Sequence, residues 1–178
     1  MEFDLEHMIA SLERIPRTLQ SLLRDLPEAW VLSNEGPDTW SPFDVIGHLA
    51  HTERTAWIPR AKIILEHGTS RAFEPIDRFA QFEASKGKTL NELLDAFETF
   101  RRSNIAMLRS LNLTSSHLAL QGKHPEFGVV TLGQLLETWT VHDLNHIGQI
   151  VQVMARQRTD AVGPWKAFLP ILGVQPTS

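Results

Sequence analysis

The 178-residue chain has the length of one ordinary domain, and its 42% hydrophobic and 21% charged residues supply a core and a solvated surface, which excludes a disordered tail. A formal charge of −4, with Lys and Arg scattered along the chain, leaves no basic footprint for nucleic acid. The chain has no cysteine, which removes disulfide frameworks, thiol nucleophiles and thiolate metal sites, so any metal must be held by His, Asp or Glu.

The opening stretch MEFDLEHMIASLERIPRTLQ has acids among its first residues and no uninterrupted apolar run of the secretory type. No run approaches the ~18 apolar residues of a membrane span. The expectation is a cytoplasmic protein with no membrane partner. A first helix is predicted over about residues 3–24, where Leu5, Met8, Ile9, Leu12, Ile15, Leu19, Leu22 and Leu23 recur at spacings of three and four, with a kink at Pro16. Residues 27–37 read as a loop.

The second helix has the clearest start, with Ser41 as N-cap, Pro42 in the first helical position and Asp44 three residues after the cap. It should run to about His67, stop at Gly68, and bend or break at Pro59. Thr89 with Glu92 forms a capping box for a third helix with the stripe Leu90, Leu93, Leu94, Phe97, Phe100, Asn104, Leu108 and Leu111. Thr131 with Gln134 does the same for a fourth, from about Leu132 to Gln157. Beyond Gly163-Pro164-Trp165 one short helical turn and a tail are expected.

Strand patterning is weak, and its best candidate, Phe127-Gly128-Val129-Val130, is short and isolated. Four amphipathic helices of about twenty residues predict an all-α, up-and-down-type four-helix bundle with a long connection between the second and third. The expected organisation is a single domain over 1–178, with a core over about 3–157 and a C-terminal tail over 158–178. The segments 69–88 and 112–130 exceed usual bundle connections and are expected to line a site.

In VHDLNHIGQI two histidines stand four apart. On a helix, Leu135, Trp139, His142, His146, Ile150 and Val153 share one narrow sector, so both imidazoles point into the bundle, one turn apart, where a single metal ion can be gripped by both. The bland alternative is a pair of hydrogen-bonded core histidines. In SPFDVIGHLAHTER, His48 lies on the flank of the core-facing stripe and is the better-placed third ligand, while His51 is turned further out and reads as a rim residue. His7, His67, His117 and His124 fall at a terminus or in loops and read as surface.

Glu53 reads first as an ion-pair partner of Arg54 or Arg101, with catalysis as acid or base the sharper alternative. Asp143 reads as part of a solvated face, or as a group orienting a ring nitrogen across a neighbouring turn. Trp40, Trp57 and Trp139 read as core or interface aromatics, and Trp139, one turn before His142, is also placed to wall a pocket.

These residues fall into a pattern. Trp40-Ser41-Pro42 leads into Gly47-His48-Leu49-Ala50 with Glu53 after it; Glu126-Phe127-Gly128 precedes Thr131-Leu132-Gly133-Gln134-Leu135; and His142-Asp143-Leu144-Asn145-His146-Ile147-Gly148-Gln149-Ile150 closes the series. In this order, over about residues 5–155, the chain resembles the DinB-like superfamily, which includes metal-dependent hydrolases and bacillithiol- or mycothiol-dependent transferases. The resemblance implies a four-helix bundle with a three-histidine site for a divalent ion such as zinc or nickel, matching His48, His142 and His146, and a homodimer. His51 stands where such proteins commonly carry Asp or another polar residue.

The leading expectation is therefore a metal-dependent enzyme acting on a small molecule, by hydrolysis or by transfer of a low-molecular-weight thiol that the cysteine-free chain would take from outside. The rival readings are a non-catalytic metal-binding or stress-response interaction module, and a metal-free bundle with satisfied core histidines.

Overall fold

A computed structural model describes residues 4–77 and 79–173. Helix α1 spans Leu5–Leu23, capped by the Asp4 carboxylate, and Pro16 sits inside it without ending it. Proline leaves the carbonyl four residues earlier without its N–H partner. That carbonyl belongs to Leu12, and the Arg101 guanidinium donates to it at 3.0 Å.

The second predicted helix is two. Helix α2, Glu28–Val31, first interrupts the expected loop; then α3, Pro42–Thr55, starts from the Ser41 capping box and α4, Trp57–His67, ends at Gly68 with φ 55°. The break falls at Ala56, three residues before Pro59, because the proline ring crowds the Thr55 carbonyl and offers it no N–H. The long connection holds a short helix, α5, Ala80–Ser85. Helix α6, Leu90–Ser110, and, after the short α7, Ser115–Leu118, helix α8, Leu132–Arg156, both start from the capping boxes read in the sequence.

The strand candidate proved to be half of a hairpin. Strand β1, Gln121–His124, pairs antiparallel with β2, Gly128–Thr131, with Gly122 opposite Val130. The first strand, QGKH, carries no apolar alternation, so the sequence alone gave it no signal. The hairpin docks on α4, where a Cβ at Gly122 would meet Ile64 Cγ1 at 2.5 Å and Phe73 Cζ at 3.2 Å.

The long helices α1, α3 with α4, α6 and α8 form the expected four-helix bundle, and the long connection lies between the second and third members. The alternation of directions stops there. Arg24 pairs with Asp95 and Arg109 with Glu13, so α1 and α6 are antiparallel, while Gly47 lies by Leu93 and Glu53 by Asn104, so α3 and α6 run the same way. The connection over 68–89 carries the chain back along the bundle before α6 begins, which a short up-and-down turn cannot do. Both α1 and α3 pack against α6 and α8, which places α1 and α3 on one diagonal.

Two apolar clusters fill the bundle, one around Leu12, Trp57, Leu108 and Trp139 and the other around Leu19, Ile46, Phe97 and Ile150. The residues between them in α3, α6 and α8 are polar: Thr52 and Glu53, Arg101, Asp143 and His146, all buried. Two three-residue-per-turn segments, Gly163–Phe168 and Pro170–Leu172, follow α8, and the second packs on it. The last tail residues, 174–178, lie outside the described residues. Among the described residues no helix is long and apolar enough to cross a membrane.

Candidate metal centre

The polar layer holds the three histidines singled out above. His48 comes from α3, one turn after the capping box has fixed the helix start; His142 and His146 come from consecutive turns of α8. One ring nitrogen from each lies within 4.8 Å of the other two, and the Nε2 atoms of His48 and His142 are 3.1 Å apart. Two imidazole nitrogens at that distance share either a proton or a cation. A tetrahedral ion bound about 2.0–2.1 Å from each nitrogen would hold its ligands roughly 3.3 Å apart, so the donor set fits a divalent metal with modest movement of His146.

The rings are oriented by neighbours. His146 Nδ1 lies 2.9 Å from Gln149 Oε1, which fixes the proton on Nδ1 and leaves Nε2 as a lone-pair donor. Trp40 lies nearly parallel to His146, with ring centroids 6.2 Å apart, and Trp57 meets His142 edge-on at 5.1 Å. Burial, helped by the neighbouring His146 and His142 rings, pushes His48 down to about 3, and burial with His142 pushes His146 down to about 4. Both are neutral at pH 7, the state that a metal requires of them.

His51 stays outside this cluster, half-buried on the next turn of α3, with burial and then Arg54 lowering it below the usual imidazole range. His7, His67 and His117 are elsewhere, His117 capping α7 by accepting from the Thr114 N–H at 3.0 Å. His124 departs from the surface reading. It is half-buried and lines the same cavity as the three histidines, because the hairpin folds back over α4.

Glu53 found one of its two expected partners. Its carboxylate, with the side chain 1% exposed, accepts from Arg101 Nη2 at 2.7 Å, Asn104 Nδ2 at 2.9 Å and Trp139 Nε1 at 2.8 Å. Those donors turn it away from the cavity, so the geometry fits a structural partner better than an acid or base. Asp143 is not on a solvated face: it is buried against Arg101 Nη2 at 2.7 Å, with Oδ1 3.7 Å from His142 Nδ1. Burial alone would lower Arg101, but Asp143 and Glu53 outweigh it and hold the guanidinium above its usual range. Arg101 also lies over the Phe97 and Trp139 rings, at 4.8 and 5.1 Å. The sequence reading had not placed this arginine in the core; Phe97, Ile105 and Leu108 around it at helical spacing were the available signal.

The three histidines open onto a cavity of about 490 Å³ bounded by α3, α4, α8 and the hairpin. Trp40 and Trp57 wall it, whereas Trp139, fully buried and stacked on Trp57 at 5.6 Å, belongs to the core. Residues from both long connections, Pro75 and Ile76 from one and Phe127 from the other, complete the walls, as their lengths suggested.

A relative from Oceanobacillus iheyensis, named as a presumed metal-dependent hydrolase, is 24% identical over 86% of this chain and 87% of its own length. The structure of YfiT from Bacillus subtilis, described as a probable metal-dependent hydrolase with an unusual four-helix bundle topology, superposes with a TM-score of 0.75 at 24% identity, covering 88% of this chain and 90% of that one. The sequence profile of the DinB superfamily matches residues 11–150, a span holding all three histidines and the capping residues that place them, and the chain belongs to that superfamily.

Proposed function

We propose that His48, His142 and His146 bind one divalent metal ion and that the chain is a metal-dependent enzyme acting on a small molecule. The observation that carries this reading is the convergence of three imidazoles at the end of a cavity of about 490 Å³. An all-nitrogen donor set suits zinc or nickel. Three protein ligands leave positions open, and such an ion, when bound, supplies Lewis acidity to whatever reacts there. Trp40, Trp57 and Thr52 shape the space in front of the histidines and exclude bulk water from it. The name of the Oceanobacillus relative supports hydrolysis; transfer of a low-molecular-weight thiol to an electrophile is the second reaction, with the thiol supplied from outside the cysteine-free chain. Glu53 acts by holding Arg101 and, through it, Asp143 behind the histidines.

This reading places the protein in the cytoplasm, as one domain, and as a homodimer, with the exposed Trp165 and Phe168 beyond α8 as the apolar surface a second copy would cover. Light scattering should then give twice the 20.2 kDa chain mass. The metal is tested by elemental analysis of tag-free protein prepared without a nickel column, beside His48→Ala and His142→Ala variants shown to be folded by circular dichroism. Near-stoichiometric metal, lost in both variants, is expected. Folded wild-type protein that stays metal-free after incubation with zinc or nickel and dialysis overturns the site. Bound metal without turnover of generic esters or of thiol and electrophile pairs would instead assign a non-catalytic binding module.

A further inference from the structure

The cavity has a second chemical end. Along α8 its lining residues Gln134, Thr138, His142 and His146 follow one another at single-turn intervals, so it extends along roughly 18 Å of helix at ~1.5 Å rise per residue. At the end away from the histidines stands Arg60, 9% exposed. Its free guanidinium N–H groups face the cavity instead of protein acceptors, and a cation set largely apart from bulk water is stabilised by an anion there. Arg60 has one acceptor, the Glu74 carbonyl at 3.3 Å, and among the described residues no carboxylate within 4.0 Å. Phe73 braces it, with the ring centroid 5.2 Å from Arg60 Cζ and 6.0 Å from the His124 ring.

His124 adds a second donor. Its Nδ1 accepts from the Glu126 and Phe127 backbone N–H groups at 3.1 and 3.3 Å, so the neutral ring carries its proton on Nε2. Arg60 itself keeps this imidazole from charging, after burial. The acid on this wall, Glu126, is solvent-exposed and makes no ion pair with Arg60 within 4.0 Å, although it counters part of the lowering of His124. Apolar side chains, Trp57, Phe73, Ile76, Phe127 and Leu135, make up much of the remaining lining.

We infer that Arg60, assisted by His124, is an anion-binding subsite, and that the ligand of this cavity is a molecule with an apolar body and one anionic group, a carboxylate, sulfonate or phosphate, held at the end opposite the three histidines. The planar guanidinium presents its free N–H groups as a fork that matches two oxygens of such a group. Which end carries the reacting bond rests on the metal-centre reading above; the anion subsite itself does not.

The test compares 6-phenylhexanoate with the uncharged 6-phenylhexanamide, titrated calorimetrically into wild-type protein and into folded Arg60→Gln, Arg60→Lys and His142→Ala variants. Wild type should prefer the carboxylate by roughly 10- to 100-fold, the range of a charge-assisted hydrogen bond in a buried site. R60Q should abolish that preference, R60K should reduce it, and H142A should keep it. No preference in wild type, or an undiminished one in either folded Arg60 variant, overturns the proposal. Preference lost in H142A and kept in R60Q would put the carboxylate on the histidines, sinking the subsite and leaving the metal centre intact. Preference kept in a protein that binds no metal would do the reverse.

Discussion

Arg101 joins three features that are far apart in the chain. Pro16 strips Leu12 of its helical partner, Glu53 and Asp143 are two buried acids, and one guanidinium serves all three. The two acids and the guanidinium lie buried directly behind the proposed ligands, with Asp143 Oδ1 3.7 Å from His142 Nδ1. Removing the guanidinium leaves two carboxylates and a carbonyl unanswered. Arg101→Met should therefore destabilise the protein by about 3–5 kcal/mol, seen as a lower urea midpoint with an unchanged slope. Asp143 was hard to read because a residue next to an inward histidine is usually turned outward; only the approach of α6 makes its side of α8 an interior. Glu53 and its link to Arg101 were legible, since an acid and a base on two helix faces invite pairing.

Among the elements, three of the long helices announce themselves because each carries its own start signal, while α1 is marked by its apolar spacing. Ser41, Thr89 and Thr131 each bond back to the third residue of the helix they open, a local geometry that needs no tertiary partner. The hairpin has no such signal. It exists because Gly122 lets β1 lie against Ile64 and Phe73, and because the Phe73 N–H donates to the Lys123 carbonyl at 2.9 Å. Gly122→Ala should push the hairpin off α4, with an overpacking cost of about 1–3 kcal/mol in denaturant unfolding, and loosen the wall that carries His124 and Phe127. Ser41 and Asp44, by contrast, hold α3 in place from outside the cavity, so their capping box sets the azimuth of His48 without touching a ligand.

For the molecule as a whole, the histidines tie stability to pH. In the metal-free protein folded His48 takes up its proton only near about 3 and His146 near about 4, while in the unfolded chain both do so near 6.5. Between those values the unfolded state binds more protons, so stability rises with pH. The contribution is complete above about 6.5 and is lost as acidification proceeds through that value toward 3. Urea midpoints of metal-free wild type should fall steadily from pH 7 to pH 4, and a His48→Gln, His146→Gln double variant should show a flatter profile. A steep fall preserved in the double variant would assign the acid sensitivity to other groups.

The amino-acid sequence by itself determined the helices, their starts and the inward sector of α8, because helical periodicity and capping are set by residues three and four apart. It also singled out the histidine trio, with His142 and His146 in the inward sector of α8 and His48 on the flank of the α3 stripe, but left ligands and satisfied core histidines as alternatives. What only the tertiary structure decided is the relation between distant segments: the parallel run of α3 and α6, the burial of Arg101 between two acids, and the fold-back of the hairpin that brings His124 and Arg60 to one end of a shared cavity. These depend on which faces meet across the bundle, and no spacing within a single helix encodes that.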